Sequence, residues 1–193
     1  MPSVQTVAPS TTAISLAEAK DHLRVDGQID NDYITELINT ATLTVEHYGR
    51  QALIQQTRRL DLYGFHDRIV LDMPPLASVS GITYTADGST TSSTLSTDVY
   101  DVDATSHPGQ VLRAANQTWP DVQAQRFNAV QVTYVTGYAT ASSAVPSNYR
   151  HAMKLLIDRW YSDRTDYITG TIQQALPWGV KDLIRPTRNF RFV

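Results

Sequence analysis

Apolar side chains recur at two different periods along this chain. Near both ends the spacing is three to four residues, and through the middle it is two, so helices flank a strand-rich centre. Ser15 followed by Glu18 forms a capping box, in which each side chain satisfies a backbone N–H at the start of a helix. Leu16, Ala19 and Leu23 then keep helical spacing, and Asp26-Gly27 is expected to end that helix. Asp30 can cap a second, longer helix whose apolar stripe is Ile34, Leu37, Ile38, Ala41, Val45 and Tyr48, with Gly49 as its C′ glycine. From Leu53 to Tyr138 the alternation predicts strands near residues 59–63, 69–71, 79–84, 99–102 and 130–135. Met73-Pro74-Pro75, Ala86-Asp87-Gly88 and His107-Pro108-Gly109 supply the turns, and Ser89 to Thr97 reads as an exposed hairpin loop. A polar linker, Thr140 to Ala144, leads back to helical spacing. Pro146-Ser147 opens a third helix with Tyr149, Met153, Leu156, Ile157 and Trp160 on its buried stripe. A fourth, short helix spans about Trp178 to Ile184 and is closed by Pro186. No internal repeat accompanies this pattern, which argues against a solenoid or propeller.

The pattern therefore predicts an α+β protein: a bundle of about four helices with an antiparallel β-sheet or sandwich inserted between helices two and three. Residues 14–50 and 146–185 form the helical core, 51–145 the β-rich insert, 1–13 a flexible N-terminal extension and 186–193 a C-terminal tail. Composition sharpens this picture only in places. Of 193 residues, 41% are hydrophobic and 18% charged, enough for a folded core and far from the make-up of a disordered chain. Apolar runs are far shorter than the ~20 residues a membrane span needs. Met1 to Thr12 is polar and carries no secretory signature. The absence of cysteine rules out disulfides, thiolate nucleophiles and Cys-ligated metals, and fits a reducing cytosol. The net charge of −3 gives no general attraction to nucleic acid. Past Val180, however, Lys181, Arg185, Arg188 and Arg191 face only Asp182, so the chain ends basic.

Patterns that carry catalysis are missing. No Walker loop, dinucleotide fingerprint or nucleophile elbow is present. His22, His47, His66, His107 and His151 are scattered, with no pair at ligand spacing on one helix face. Asp26, Asp30 and Asp32 bracket a turn, but a calcium loop would want Gly and Glu where Asn31 and Leu37 stand, so helix capping by Asp30 is the better reading. Asp98, Asp101 and Asp103 flank a strand, where they read more simply as charges protecting an edge than as paired glycosidase carboxylates. Trp160 is expected in the core. Trp119 and Trp178 are open between ordinary packing and anchoring a protein contact. In the tail, Phe190, Phe192 and Val193 interleave with Arg188 and Arg191, an alternation suited to ordering on a partner.

Several segments in order resemble head–tail connector (adaptor) proteins of long-tailed phages and gene transfer agents. They are Ile14 to Asp26, Tyr48-Gly49-Arg50-Gln51-Ala52-Leu53-Ile54, Met73 to Val79, Val132 to Tyr138, and the helix from Tyr149 through Trp160-Tyr161. The resemblance implies a structural virion protein and no enzyme, cofactor or metal. It implies a ring, expected to hold twelve subunits, that joins the portal to the neck or tail and extends the DNA channel without sequence-specific DNA contact. The partners it implies are other copies of the chain, the portal, and a neck, stopper or tail-completion protein, in the virion neck after assembly in the host cytoplasm. Relatives use the C-terminal segment to engage the portal, which assigns docking to Arg185, Arg188, Phe190, Arg191 and Phe192. Lumen-facing residues are expected to be neutral or acidic, since a basic lining would hold moving DNA. The reading from another class is a carbohydrate-binding or carbohydrate-active protein built on the β region with Asp101, Asp103 and Trp119. That reading requires those three to line one pocket. A monomeric tail-completion factor of similar fold is a third reading, separated by failure to bind a portal.

Overall fold

The structure, a computed structural model, describes residues 3–123, 126–163 and 177–189. The chain divides into two compact units, Met1–Ser10 with Gln55–Tyr138, and Thr11–Ile54 with Ala139–Val193.

The first unit is all β. A five-stranded antiparallel sheet runs in the order β1 (Val4–Val7), β2 (Gln56–Leu62), β8 (Val130–Thr136), β4 (Leu76–Thr85), β5 (Ser92–Thr94), and a three-stranded one in the order β3 (Arg68–Val70), β7 (Gln110–Arg113), β6 (Tyr100–Asp103). Central β8 alternates strictly between buried and half-buried positions, as a strand paired on both sides and packed on one face must. Val130, Val132 and Tyr134 of β8, Leu60 of β2 and Ile82 of β4 meet Ile69, Tyr100 and Val111 of the smaller sheet in one apolar core. Two sheets facing a shared core make a sandwich-like layer pair. Gly109 lies where a Cβ would fall 2.5 Å from the Leu76 Cβ, so its lack of a side chain is what allows that approach.

Three features of this unit differ from the sequence reading. The stretch expected as a flexible extension contains strand β1, because Ser3 is tied down. Its N–H donates to Asp72 Oδ2 (3.1 Å), while Arg58 donates through Nε to its hydroxyl (2.6 Å) and through its terminal nitrogen to its carbonyl (2.9 Å). Tyr134, inside the core, donates its hydroxyl to the same carboxylate (2.5 Å). The Ser/Thr stretch holds an exposed edge strand, β5, paired to Thr83–Thr85, whose polarity is that of an edge and not of a loop. Strand β7 carried too short an alternation to be read.

The second unit is helical: α1 (Leu16–Leu23), α2 (Asn31–Gly49), α3 (Ser147–Ser162) and α4 (Trp178–Ile184). The capping box at Ser15 and Glu18 is present in full. Glu18 also pairs with Arg150 and, at 4.0 Å, Lys154, joining α1 to α3. The apolar stripe of α2 buries Ile34, Leu37, Ile38, Ala41 and Val45, and that of α3 buries Tyr149, Ala152, Met153, Leu156 and Ile157. Both helix stops move from the expected residues. Arg24 and Arg50 adopt the left-handed conformation (φ 58° and 52°) and close α1 and α2, ahead of Asp26-Gly27 and after Gly49. Gly49 remains helical and serves packing instead: a Cβ there would sit 3.3 Å from Ile184 and 3.4 Å from Tyr149. Asp30 holds the N-cap position of α2 without a capping bond and accepts from the Tyr161 hydroxyl (2.7 Å). Trp160, in the last turn of α3, stays partly exposed and not fully in the core.

Candidate functional site

The basic end of the chain is anchored before it is free to reach anything. Val180 and Ile184 of α4 are fully buried, and a 3₁₀ turn, Arg185–Thr187, follows. The Thr187 carbonyl accepts from Tyr149 (3.3 Å) and from Gln51 Nε2. Asn148 Nδ2 donates to the Leu183 carbonyl (3.0 Å) and to the Thr187 hydroxyl (3.2 Å). Asn189 N–H donates to the Gly49 carbonyl (3.1 Å), using an acceptor that the end of α2 would otherwise leave open. The Arg188 guanidinium lies 4.6 Å from the centre of the Tyr48 ring. Of the five residues expected to dock on a partner, Arg185 is exposed and Arg188 is half-buried against Tyr48. Phe190, Arg191 and Phe192 lie outside the described residues. Trp178 opens α4 with two thirds of its surface exposed (66%) and Lys181 stacked over it at 5.4 Å.

Buried Glu46 shows how the end of α2 is held. Its Oε1 accepts the Leu53 N–H (2.7 Å), fixing the Gln51–Ile54 connection that leaves the helix. Nothing in the sequence pattern singled out Glu46, because a glutamate near a helix end reads as solvated.

The three residues of the sugar-site reading are not brought together. Asp101 is exposed on β6. Asp103 is spent on its own turn, accepting from the Thr105 N–H (3.0 Å) and hydroxyl (2.7 Å), the Ser106 N–H (3.0 Å) and hydroxyl (2.5 Å), and Gln110 Nε2 (2.9 Å). Those bonds, led by Ser106, hold its carboxyl well below the usual carboxylate range. Trp119 stacks on Phe65, with centroids 4.6 Å apart and planes 5° from parallel. It borders a cleft of about 810 Å³ lined by Phe65, Tyr84, Asp87 and Asp121 among others, with neither Asp101 nor Asp103. Among the described residues no cluster of three metal-ligating side chains occurs, and no helix is long and apolar enough to cross a membrane.

Comparison with known proteins shows what this arrangement is similar to. Residues 13–99, from just before α1 to the residue preceding β6, match the model of the phage gp6-like head-tail connector protein family. The family whose model matches is the one that the sequence segments resembled. The fold as a whole is similar to solved chains from gene transfer agent (GTA) particles. One, from the neck of an empty GTA particle computed with C6 symmetry, is 23% identical with a TM-score of 0.80, and the alignment covers 100% of this chain and 98% of that one. A chain from the virion of a native GTA particle is 22% identical with a TM-score of 0.78, at the same coverages. A third, from the neck of a native GTA particle computed with C12 symmetry, is 23% identical with a TM-score of 0.75, again covering 100% and 98%. No curated protein sequence matches the chain.

Proposed function

We propose that this chain is a structural ring subunit of the neck of a phage or gene transfer agent particle, joining the portal to the tail components and prolonging the DNA channel. The observation that carries the proposal is the likeness of fold along all of this chain and 98% of chains from GTA necks, with the family match over residues 13–99 beside it. A twelve-subunit ring is the stoichiometry of the proposal, in keeping with the twelvefold symmetry applied to one of those necks. The helical unit would supply a heterologous contact repeated until the ring closes, and the β unit would stand as a domain inserted between α2 and α3. The role needs positions and surfaces and no catalytic group, and the lumen is proposed to be neutral or acidic, so that DNA slides without being held.

Portal docking is assigned to the end of the chain, Arg185 through Phe192. The supporting geometry is a basic terminus whose base is fastened by Gln51, Asn148 and Tyr149, so that the residues beyond it start from a fixed point. Negative-stain imaging of the protein with its cognate portal, beside the protein alone, tests the proposal. An added ring of density on the portal is expected. Persistence of a monodisperse monomer in both samples would reject the connector role.

A further inference from the structure

We infer that the cleft beside Trp119 in the β unit docks a segment of a second protein that presents an arginine or lysine flanked by apolar side chains. The proposed ring and portal contacts are assigned to the helical unit and the basic end of the chain, and the cleft belongs to neither assignment.

Charge favours a cationic occupant. The β unit contains eight Asp and five Arg, with no Lys and no Glu. Asp61 pairs with Arg59 (3.0 Å), Asp67 with Arg113 (3.3 Å), Asp72 is tied to Ser3 beside Arg58, and Asp103 is consumed by its own turn. Two of the remaining aspartates, Asp87 and Asp121, sit together on the wall of the cleft, their backbones joined by a bond from the Asp87 N–H to the Asp121 carbonyl (3.3 Å). No described cation pairs with either. Arg126, the nearest in sequence, is turned toward Gln123 and Asn128. Two exposed carboxylates left unneutralised beside aromatic rings attract a cation twice over, by charge and by the negative ring faces.

The aromatic surface favours apolar flanks on that occupant. Phe65 packs against both Trp119 and Tyr84 (5.9 Å from the latter), and Tyr63, next in sequence to the lining Gly64, pairs with Phe127, the two rings 5.4 Å apart and 47% and 73% exposed. A phenylalanine left so open beside a second aromatic ring is what a partner's apolar side chains cover. The Trp119 indole N–H is enclosed with no hydrogen-bond partner among the described residues, a cost that a phenylalanine kept only for packing would avoid. A saccharide fits less well, because Phe65 already occupies one face of the Trp119 ring. Phosphate-bearing ligands would meet two carboxylates.

The full-length ¹⁵N-labelled protein should be titrated with a capped Arg-Phe-Arg tripeptide amide, its Glu-Phe-Glu counterpart, and cellotetraose. Probe concentrations should reach about 5 mM, where a site with a dissociation constant near 1 mM responds. The expected result is saturable shifts of the Trp119 indole and of amides near 84–87 and 119–122 with the cationic peptide alone. Raising the salt to about 0.5 M should reduce them. Because Asp87 and Asp121 are exposed, the Asp87→Asn/Asp121→Asn variant should keep its amide spectrum yet bind roughly threefold or more weakly. No shift with the cationic peptide, equal shifts with the acidic one, or unchanged affinity in the folded variant overturns the inference. A response to cellotetraose alone overturns it in favour of a sugar site.

Discussion

Gly109 and Asp72 show how single residues set the stability of the β unit. At Gly109 the nearest obstacle to a Cβ is the Leu76 Cβ itself, which cannot swing aside as the tip of a long chain can. Gly109→Ala is therefore expected to destabilise the protein by about 1–3 kcal/mol through overpacking, read as a lower urea midpoint with unchanged slope. Burial pushes the Asp72 carboxyl up. The bonds from Ser3 and Tyr134 and the nearby Arg58 charge outweigh it and leave the group below its ordinary value of 3.8. A depressed carboxylate contributes stability that is present in full above the unfolded value and is lost as the pH falls through the folded one. Stability should thus decline below about pH 4, and Asp72→Asn should flatten that acid limb while costing about 1–2 kcal/mol at neutral pH. Urea titrations of both proteins at several pH values between neutrality and acid check the expectation. An unchanged acid limb would refute it.

Among the elements, β1 and the last turn carry consequences that their sequences hide. Strand β1 is fully exposed, with Val4 and Val7 open to solvent, yet it covers the edge of β2. Deleting residues 1–8 should bare that edge, lower the midpoint of unfolding and raise light scattering on storage, since an unpaired edge invites pairing between molecules. At the other end, Thr187 and Asn189 bond to the helices and Arg188 stacks on Tyr48, so truncation after Pro186 would disturb the fold together with any docking. Truncation after Asn189 separates the two effects. The shortened chain should keep its thermal midpoint within about 2 °C and lose most of its affinity for the portal. Full portal binding by this variant would remove Phe190, Arg191 and Phe192 from the docking role.

For the molecule as a whole, the β unit holds the surplus of acid, and the helical unit holds every Lys and Glu in near balance. This partition gives the two units different electrostatic tasks under the proposed role. The β unit is suited to basic partners or to repelling DNA. The helical unit, whose tie between α1 and α3 runs through Glu18 and Arg150, is suited to close packing against copies of itself.

Much of this was legible along the chain. Where one face of an element is buried over several turns or pairs, period decides its type: the stripes of α2 and α3 hold except at Tyr48 and Trp160, which stay half-buried, while the alternation of β8 and the Ser15–Glu18 box, whose partners are three residues apart, are present in full. The candidate tail could be read because unbalanced basic charge is a property of the sequence. What only the tertiary structure decided depends on residues far apart. Ser3 becomes part of a strand through Asp72, 69 positions away. Gly49 earns its place against Ile184 and Tyr149 while arginines close the helices, and Asp103 is withdrawn from Asp101 by a turn that Ser106 and Gln110 complete. The cleft at Trp119 gathers side chains from three connections, and no local pattern encodes which carboxylates will stand beside an aromatic ring.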